Sequence, residues 1–150
     1  MTNSEKRKNN IVCFNISEPS SQLKTENKEQ DRKYINKFFS EALQIDIPGK
    51  IEDTIRLGKK SDYYEKPRPL LVKLVDNDSK SQIFKKLKSK KHIEECEKVV
   101  IKNDLTKKEQ EEEKKLYEEA KRRTTSSSDF LYKVRGLPGM RKIVEIPIQH

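Results

Sequence analysis

Between Ile51 and Leu74 the chain twice alternates apolar and polar residues at the two-residue period of a β-strand. In the first segment Ile51, Ile55 and Leu57 share one face, with Thr54 and Arg56 opposite. In the second, Leu70, Val72 and Leu74 oppose Leu71 and Lys73. Each strand is expected to bury an aliphatic row and to turn a cation the other way. Ile11–Ile16 reads as an earlier strand, with Ile11 and Cys13 on one side and Val12 and Phe14 on the other. A fourth strand is expected at Val99–Lys102. The period changes to helical over Tyr34, Ile35, Phe38, Phe39, Ala42 and Leu43. That helix is predicted to start near Asp31, after a polar connector from Ser17 to Gln30, and to end by Pro48-Gly49. Asp76–Ser79 supplies caps for a second helix with a narrow stripe of Ile83, Phe84 and Leu87 among Lys80, Lys85, Lys86, Lys88, Lys90 and Lys91.

Strand, helix, strand, strand, helix, strand is the ferredoxin-like order, predicted to span residues 10–104. It makes an α+β fold, an antiparallel four-stranded sheet with both helices on one face, which is also the architecture of RNA-recognition motifs. Residues 1–9, with Lys6, Arg7 and Lys8, read as a disordered basic lead-in. Residues 105–150 read as a small C-terminal region. A long charged helix runs to about Arg123, with supporting pairs such as Glu111 with Lys115 and a thin apolar line of Leu105, Leu116, Tyr117 and Ala120. After a break at Thr124–Ser128, Phe130–Gly136 and Met140–Ile146 form a hairpin around Leu137-Pro138-Gly139.

Charge sharpens this picture. Of 150 residues, 39% are charged and 31% hydrophobic, so the core is modest; 34 Lys and Arg against 25 Asp and Glu leave a net charge of +9. Such a surplus attracts polyanions, although solubility alone also explains a basic surface. Cys13 and Cys96 lack metal-ligand spacing and read as buried thiols of a reducing compartment. No apolar run is long enough to span a membrane and no signal sequence precedes the first strand. The expectation is a soluble intracellular chain without a membrane partner, in a cytoplasmic ribonucleoprotein particle or the nucleus.

Catalysis finds no constellation. His92 and His150 stand in a lysine run and at the terminus, Asp76, Asp78 and Asp104 sit where helix caps belong, and the four glycines make no phosphate loop. No catalytic residue, metal site or cofactor is expected, and the chain is read as a non-enzyme. Binding is better supplied. RNA-recognition motifs stack bases on rings from two central strands. Here Val12 takes one ring position, Pro69 and Leu71 take others, and only Phe14 offers a ring. Phosphate contacts from Arg56, Arg68 and Lys73 should therefore dominate, with Phe14 either a stacking platform or covered by the C-terminal segment. For each arginine the competing account is a surface pair with Glu52 or Asp53. Lys133 and Arg135 share a face of the hairpin, with Arg141 and Lys142 opening its second strand, while Phe130, Tyr132 and Val134 face away. The lysines of the second helix read as solvated surface.

Five segments carry a family resemblance: Asn10–Ile16, Ile55–Lys59, Lys66–Val72, Ile101–Thr106, and Tyr132–Gly136 with Arg141–Val144. In this order and spacing they resemble the nucleic-acid-binding half of the first open-reading-frame protein of invertebrate LINE-type (non-LTR) retrotransposons, chains often labelled endonuclease–reverse transcriptase-like. The resemblance spans residues 10 to 146. It implies an RNA-recognition-motif-like domain and a small C-terminal domain holding single-stranded RNA or DNA in a basic cleft between them. It further implies coating of the element's RNA, nucleic-acid chaperone activity, and basic contacts at Arg56, Arg68, Arg135 and Arg141. Better-known relatives carry an upstream trimeric coiled coil. This chain begins near its first strand, so a monomer is expected, with self-association left to a longer parent. The competing reading, from a different class, is a protein–protein interaction module using the free sheet face or the long charged helix.

Overall fold

The computed structural model describes residues 3–46, 48–59, 66–90, 93–136 and 141–149, without the side chains of 3, 4, 48 and 95. They divide into two compact units, Met1–Asp104 and Leu105–His150. The first contains α1 (Asn3–Arg7), β1 (Asn10–Phe14), α2 (Lys24–Lys37), β2 (Ile51–Arg56), β3 (Leu70–Leu74), α3 (Asn77–Leu87) and β4 (Val100–Asn103). The second contains α4 (Lys107–Thr125), β5 (Phe130–Arg135) and β6 (Lys142–Pro147).

The ferredoxin-like expectation holds: β2-β3-β1-β4 form one sheet, every neighbouring pair antiparallel. Cross-strand partners share a face, so Ile11 with Val72 and Cys13 with Leu70 and Ile101 line one side. These residues pack with Ile35, Phe38, Phe39, Ala42 and Ile83 from the helices in a single core. Burial pushes the Cys13 thiol up to about 12, opposed by the Arg56 charge, so the sulfur behaves as a small core hydrophobe.

Three elements differ from the sequence reading. The first helix starts at Lys24 rather than near Asp31, and it continues through a π-helical turn, Phe38–Ala42, that carries both phenylalanines into the core. Its first turns are polar, which is why an apolar period alone missed them. The basic lead-in is also not loose over its described part. It forms α1 and is tied down by Arg7 to Asp104 at 3.5 Å, by Lys80 Nζ donating to the Lys8 carbonyl at 2.8 Å, and by the Leu74 amide donating to the Asn9 carbonyl at 3.2 Å.

In β2 the two faces are exchanged relative to the expectation. A bulge between Ile51 and Asp53 inserts one residue into the ladder with β3. Beyond it Thr54 is buried opposite Val72, Ile55 is 37% exposed opposite Leu71, and Arg56 pairs with Leu70 on the helix side. A one-residue slip moves every following side chain through the sheet.

The second unit is an antiparallel hairpin packed on a 19-residue helix. Thr106 caps α4 by accepting from the Glu109 amide at 3.2 Å, while the Glu109 carboxylate accepts from the Thr106 amide at 3.0 Å. Thr124 fastens the strand to the helix: its Oγ1 donates to the Ala120 carbonyl at 2.9 Å and accepts from the Tyr132 amide at 2.8 Å. Ala120 and Val134 are buried. Because the cap satisfies orphan helix donors, Thr106→Ala should cost about 1 kcal/mol in a urea melt followed by circular dichroism, and Thr106→Asp should restore most of it. The turn at Leu137-Pro138-Gly139, His92 and His150 lie outside the described residues.

Candidate nucleic-acid interface

Arg56 sits where the helix layer meets the end of β2, with a side chain only 8% exposed. Its Nε and Nη2 donate to the two Asp31 carboxylate oxygens at 3.1 and 2.7 Å. Nη1 donates to the carbonyls of Ile16 at 2.8 Å and Arg68 at 2.7 Å, and Nη2 also reaches the Ser17 carbonyl at 3.0 Å. A guanidinium has five N–H groups, and these five bonds occupy all of them. Neither expected partner, Glu52 or Asp53, is used. Arg56 as a surface phosphate contact is therefore corrected: it is a saturated internal clasp joining β2, α2, the end of β1 and the approach to β3.

Arg68 extends the clasp. Its Nε donates to Glu18 at 2.8 Å, its amide to the other Glu18 oxygen at 3.1 Å, and its Nη1 to the Gly58 carbonyl at 3.1 Å. Gly58 takes a φ of +86°, a conformation that glycine adopts freely. Burial disfavours the Glu18 anion, but hydrogen bonds and charge from Arg68, with Arg56 behind it, hold its carboxyl below the usual range. A depressed carboxyl stabilises the fold fully above its unfolded value of 4.5 and loses that contribution as pH falls through the folded value. The Arg68 amide resonance should accordingly titrate with a midpoint below 4.5. A midpoint at or above 4.5 would show that the clasp is not formed.

On the face of the sheet opposite the helices lie Val12, Phe14, Leu71, Lys73, Val100 and Lys102, of which Val12 and Leu71 are buried and Val100 and Lys102 exposed. Phe14 is half-buried, and the Lys102 ammonium lies 5.6 Å from its ring centroid, within cation–π range. Lys73 is half-buried opposite Asp53; that carboxyl is held low first by its bond with Lys28 and also by the Lys73 charge. Lys102 is exposed, has no carboxylate within ion-pair distance among the described residues, and was missed by the sequence reading. Its signal was present in the alternation of β4, which sets it opposite Val12.

In the second unit the expected hairpin faces are found. Lys133 stands opposite Val144 and Arg135 opposite Lys142, while Val134 turns inward. Lys133, Arg135 and Lys142 are exposed, and none has a carboxylate within ion-pair distance among the described residues. Arg141 differs from its expected role. Its Nε bonds Glu113 of α4 and its Nη1 donates to the Gly136 carbonyl at 3.1 Å, so it fastens the hairpin to the helix. Of the eight residues singled out from sequence, Arg56, Arg68 and Arg141 thus spend hydrogen bonds on joining elements of the fold; Lys133, Lys142 and Arg135, whose Nη1 donates to the adjacent Val134 carbonyl at 3.1 Å, have no carboxylate partner among the described residues.

Among the described residues no group of three or more His, Cys, Asp or Glu is placed to hold a metal ion, and no helix is long and apolar enough to cross a membrane. Compared with known proteins, the chain matches no protein-family model and no curated sequence.

Proposed function

We propose that this chain binds single-stranded RNA or DNA with little sequence preference, through phosphate contacts at Lys133, Arg135 and Lys142 and a sheet-face contact at Phe14, Lys102 and Lys73. The observation that carries the reading is the pairing of Arg135 directly opposite Lys142. Like charges facing each other across a ladder are destabilising. A fold that supplies Glu113 to Arg141 and Glu119 to Arg122 and Arg123 leaves this pair, with Lys133 beside it, without a carboxylate partner among the described residues. An anionic backbone relieves that repulsion. One ring, already attended by a cation, suits a single stacked base in a sequence-tolerant contact rather than base-by-base reading.

The resemblance to retrotransposon first-frame proteins supports the same reading and extends it to coating of an element's RNA and chaperone activity in a ribonucleoprotein particle or the nucleus. Exposure of Ile55 at 37% and Val100 at 43% on the open sheet favours a second reading, docking of a protein partner on that face. Fluorescence anisotropy with a labelled single-stranded oligonucleotide separates them. Micromolar or tighter binding that weakens linearly in log salt is expected, and absence of binding at low salt would leave the protein partner.

A further inference from the structure

The last turn of α3 carries charge of the same unpaired kind on the other side of the sheet. Lys85 and Lys86 close the helix and Lys88 caps it, all exposed and none with a carboxylate within ion-pair distance among the described residues. Lys85 and Lys88 are three residues apart, a spacing at which side chains on a helix are neighbours and like charges repel. A helix C-terminus does favour cations. At the C-terminus of α4 that preference is met differently: Arg122 and Arg123 are both bound to Glu119, at 2.5 and 2.9 Å. A fourth lysine, Lys90, lies beyond the end of α3 and is spent on the Cys96 carbonyl at 3.2 Å, which leaves Lys85, Lys86 and Lys88 as the open set among the described residues.

Ile83 anchors α3 in the core, with Phe84 and Leu87 packed beside it, so these lysines lie on the helix side of the sheet. Phe14, Lys73 and Lys102 lie on the opposite side. Within the first unit the sheet and its helix layer separate these two surfaces.

Resting on the reading of the chain as a nucleic-acid binder, we infer that Lys85, Lys86 and Lys88 form a second phosphate-backbone surface, through which one chain holds two separate single strands. The occupant follows from charge complementarity: three unpaired ammonium groups without an aromatic ring suit a backbone rather than bases.

The test mixes donor- and acceptor-labelled, non-complementary single strands of about ten nucleotides, within the usual span of one binding site, with the full chain. Energy transfer is recorded, and sedimentation gives the number of chains per complex. The wild type is expected to show transfer within complexes of one chain. The variant K85Q/K86Q/K88Q should keep its affinity for the first strand within about twofold while binding of the second falls roughly tenfold or more. Glutamine keeps the helix propensity, and a thermal melt checks the fold. Transfer unchanged in the variant, or saturation of the wild type at one strand per chain, would overturn the inference while leaving the proposed function intact. Failure to bind even one strand would overturn both.

Discussion

Replacing Arg56 with alanine is expected to destabilise the first unit by about 3–5 kcal/mol, because one partner of a buried ion pair is removed and the other stays. Asp31, 6% exposed, would lose its cation, and the carbonyls of Ile16, Ser17 and Arg68 would lose their donors together. For a unit of this size the melting temperature should fall by more than about 10 °C. Arg56→Lys should rescue little, since one ammonium cannot serve acceptors spread around a planar fork. Pairing Arg56→Met with Asp31→Leu removes the orphaned charge and should recover part of the loss, but not the part owed to the three carbonyls. Lys102→Ala, by contrast, should change stability by no more than about 0.5 kcal/mol, as an exposed site does. An Arg56→Ala protein that melts like wild type yet binds nucleic acid more weakly would restore Arg56 as a surface contact and refute the clasp.

The triple change K133Q/R135Q/K142Q should have the opposite profile. Loss of three phosphate contacts lowers the slope of log affinity against log salt by about 2, at roughly 0.7 per contact for a single strand. Extrapolated from 1 M, the same loss amounts to roughly 50-fold in affinity at about 0.15 M salt. The loss should be uniform across oligonucleotide sequences. Stability should hold or rise slightly, because the Arg135–Lys142 repulsion is removed. Salt-series anisotropy and a thermal melt on the same samples check both halves of the expectation. An unchanged slope would remove the hairpin from the interface.

The contrast between these variants marks where sequence reasoning reaches. Alternation in β1 and β3 is legible as a choice of face, since Ile11, Cys13, Leu70 and Val72 do reach the core, although Val12 and Leu71 on the other face are buried as well. In the hairpin, paired along one edge only, the period of two sets Val134 inward and Lys133 and Arg135 outward. In β2 the period misleads: Ile51, Ile55 and Leu57 suggest one apolar row, but the bulge before Asp53 exchanges the faces, and no glycine or proline within the strand marks it. The cost of Ile55 at the surface is offset by the Arg56 clasp beneath. That clasp depends on Asp31, 25 residues away in a helix whose polar first turns hid its start. Arginine placement at a strand end could not by itself separate a phosphate contact from an internal tie. What separates them is a count of donors already used, and only the folded chain supplies that count. Lys102 is the reverse case: the alternation of β4 alone sets it on the face of Val12 and Phe14.

The central claim is a division of labour: arginines hold the fold and open lysines, with Arg135, meet the phosphate backbone. Nuclear magnetic resonance of the ¹⁵N-labelled full chain, titrated with a single-stranded oligonucleotide, tests it most directly. The amides of Lys133, Arg135, Lys142 and Val144 should shift progressively and saturate, together with those around Phe14 and Lys102. The Arg56 Nε–H resonance, bonded to Asp31 at 3.1 Å, should stay visible and unmoved. A large shift at the Arg56 guanidinium with a silent hairpin would contradict the account.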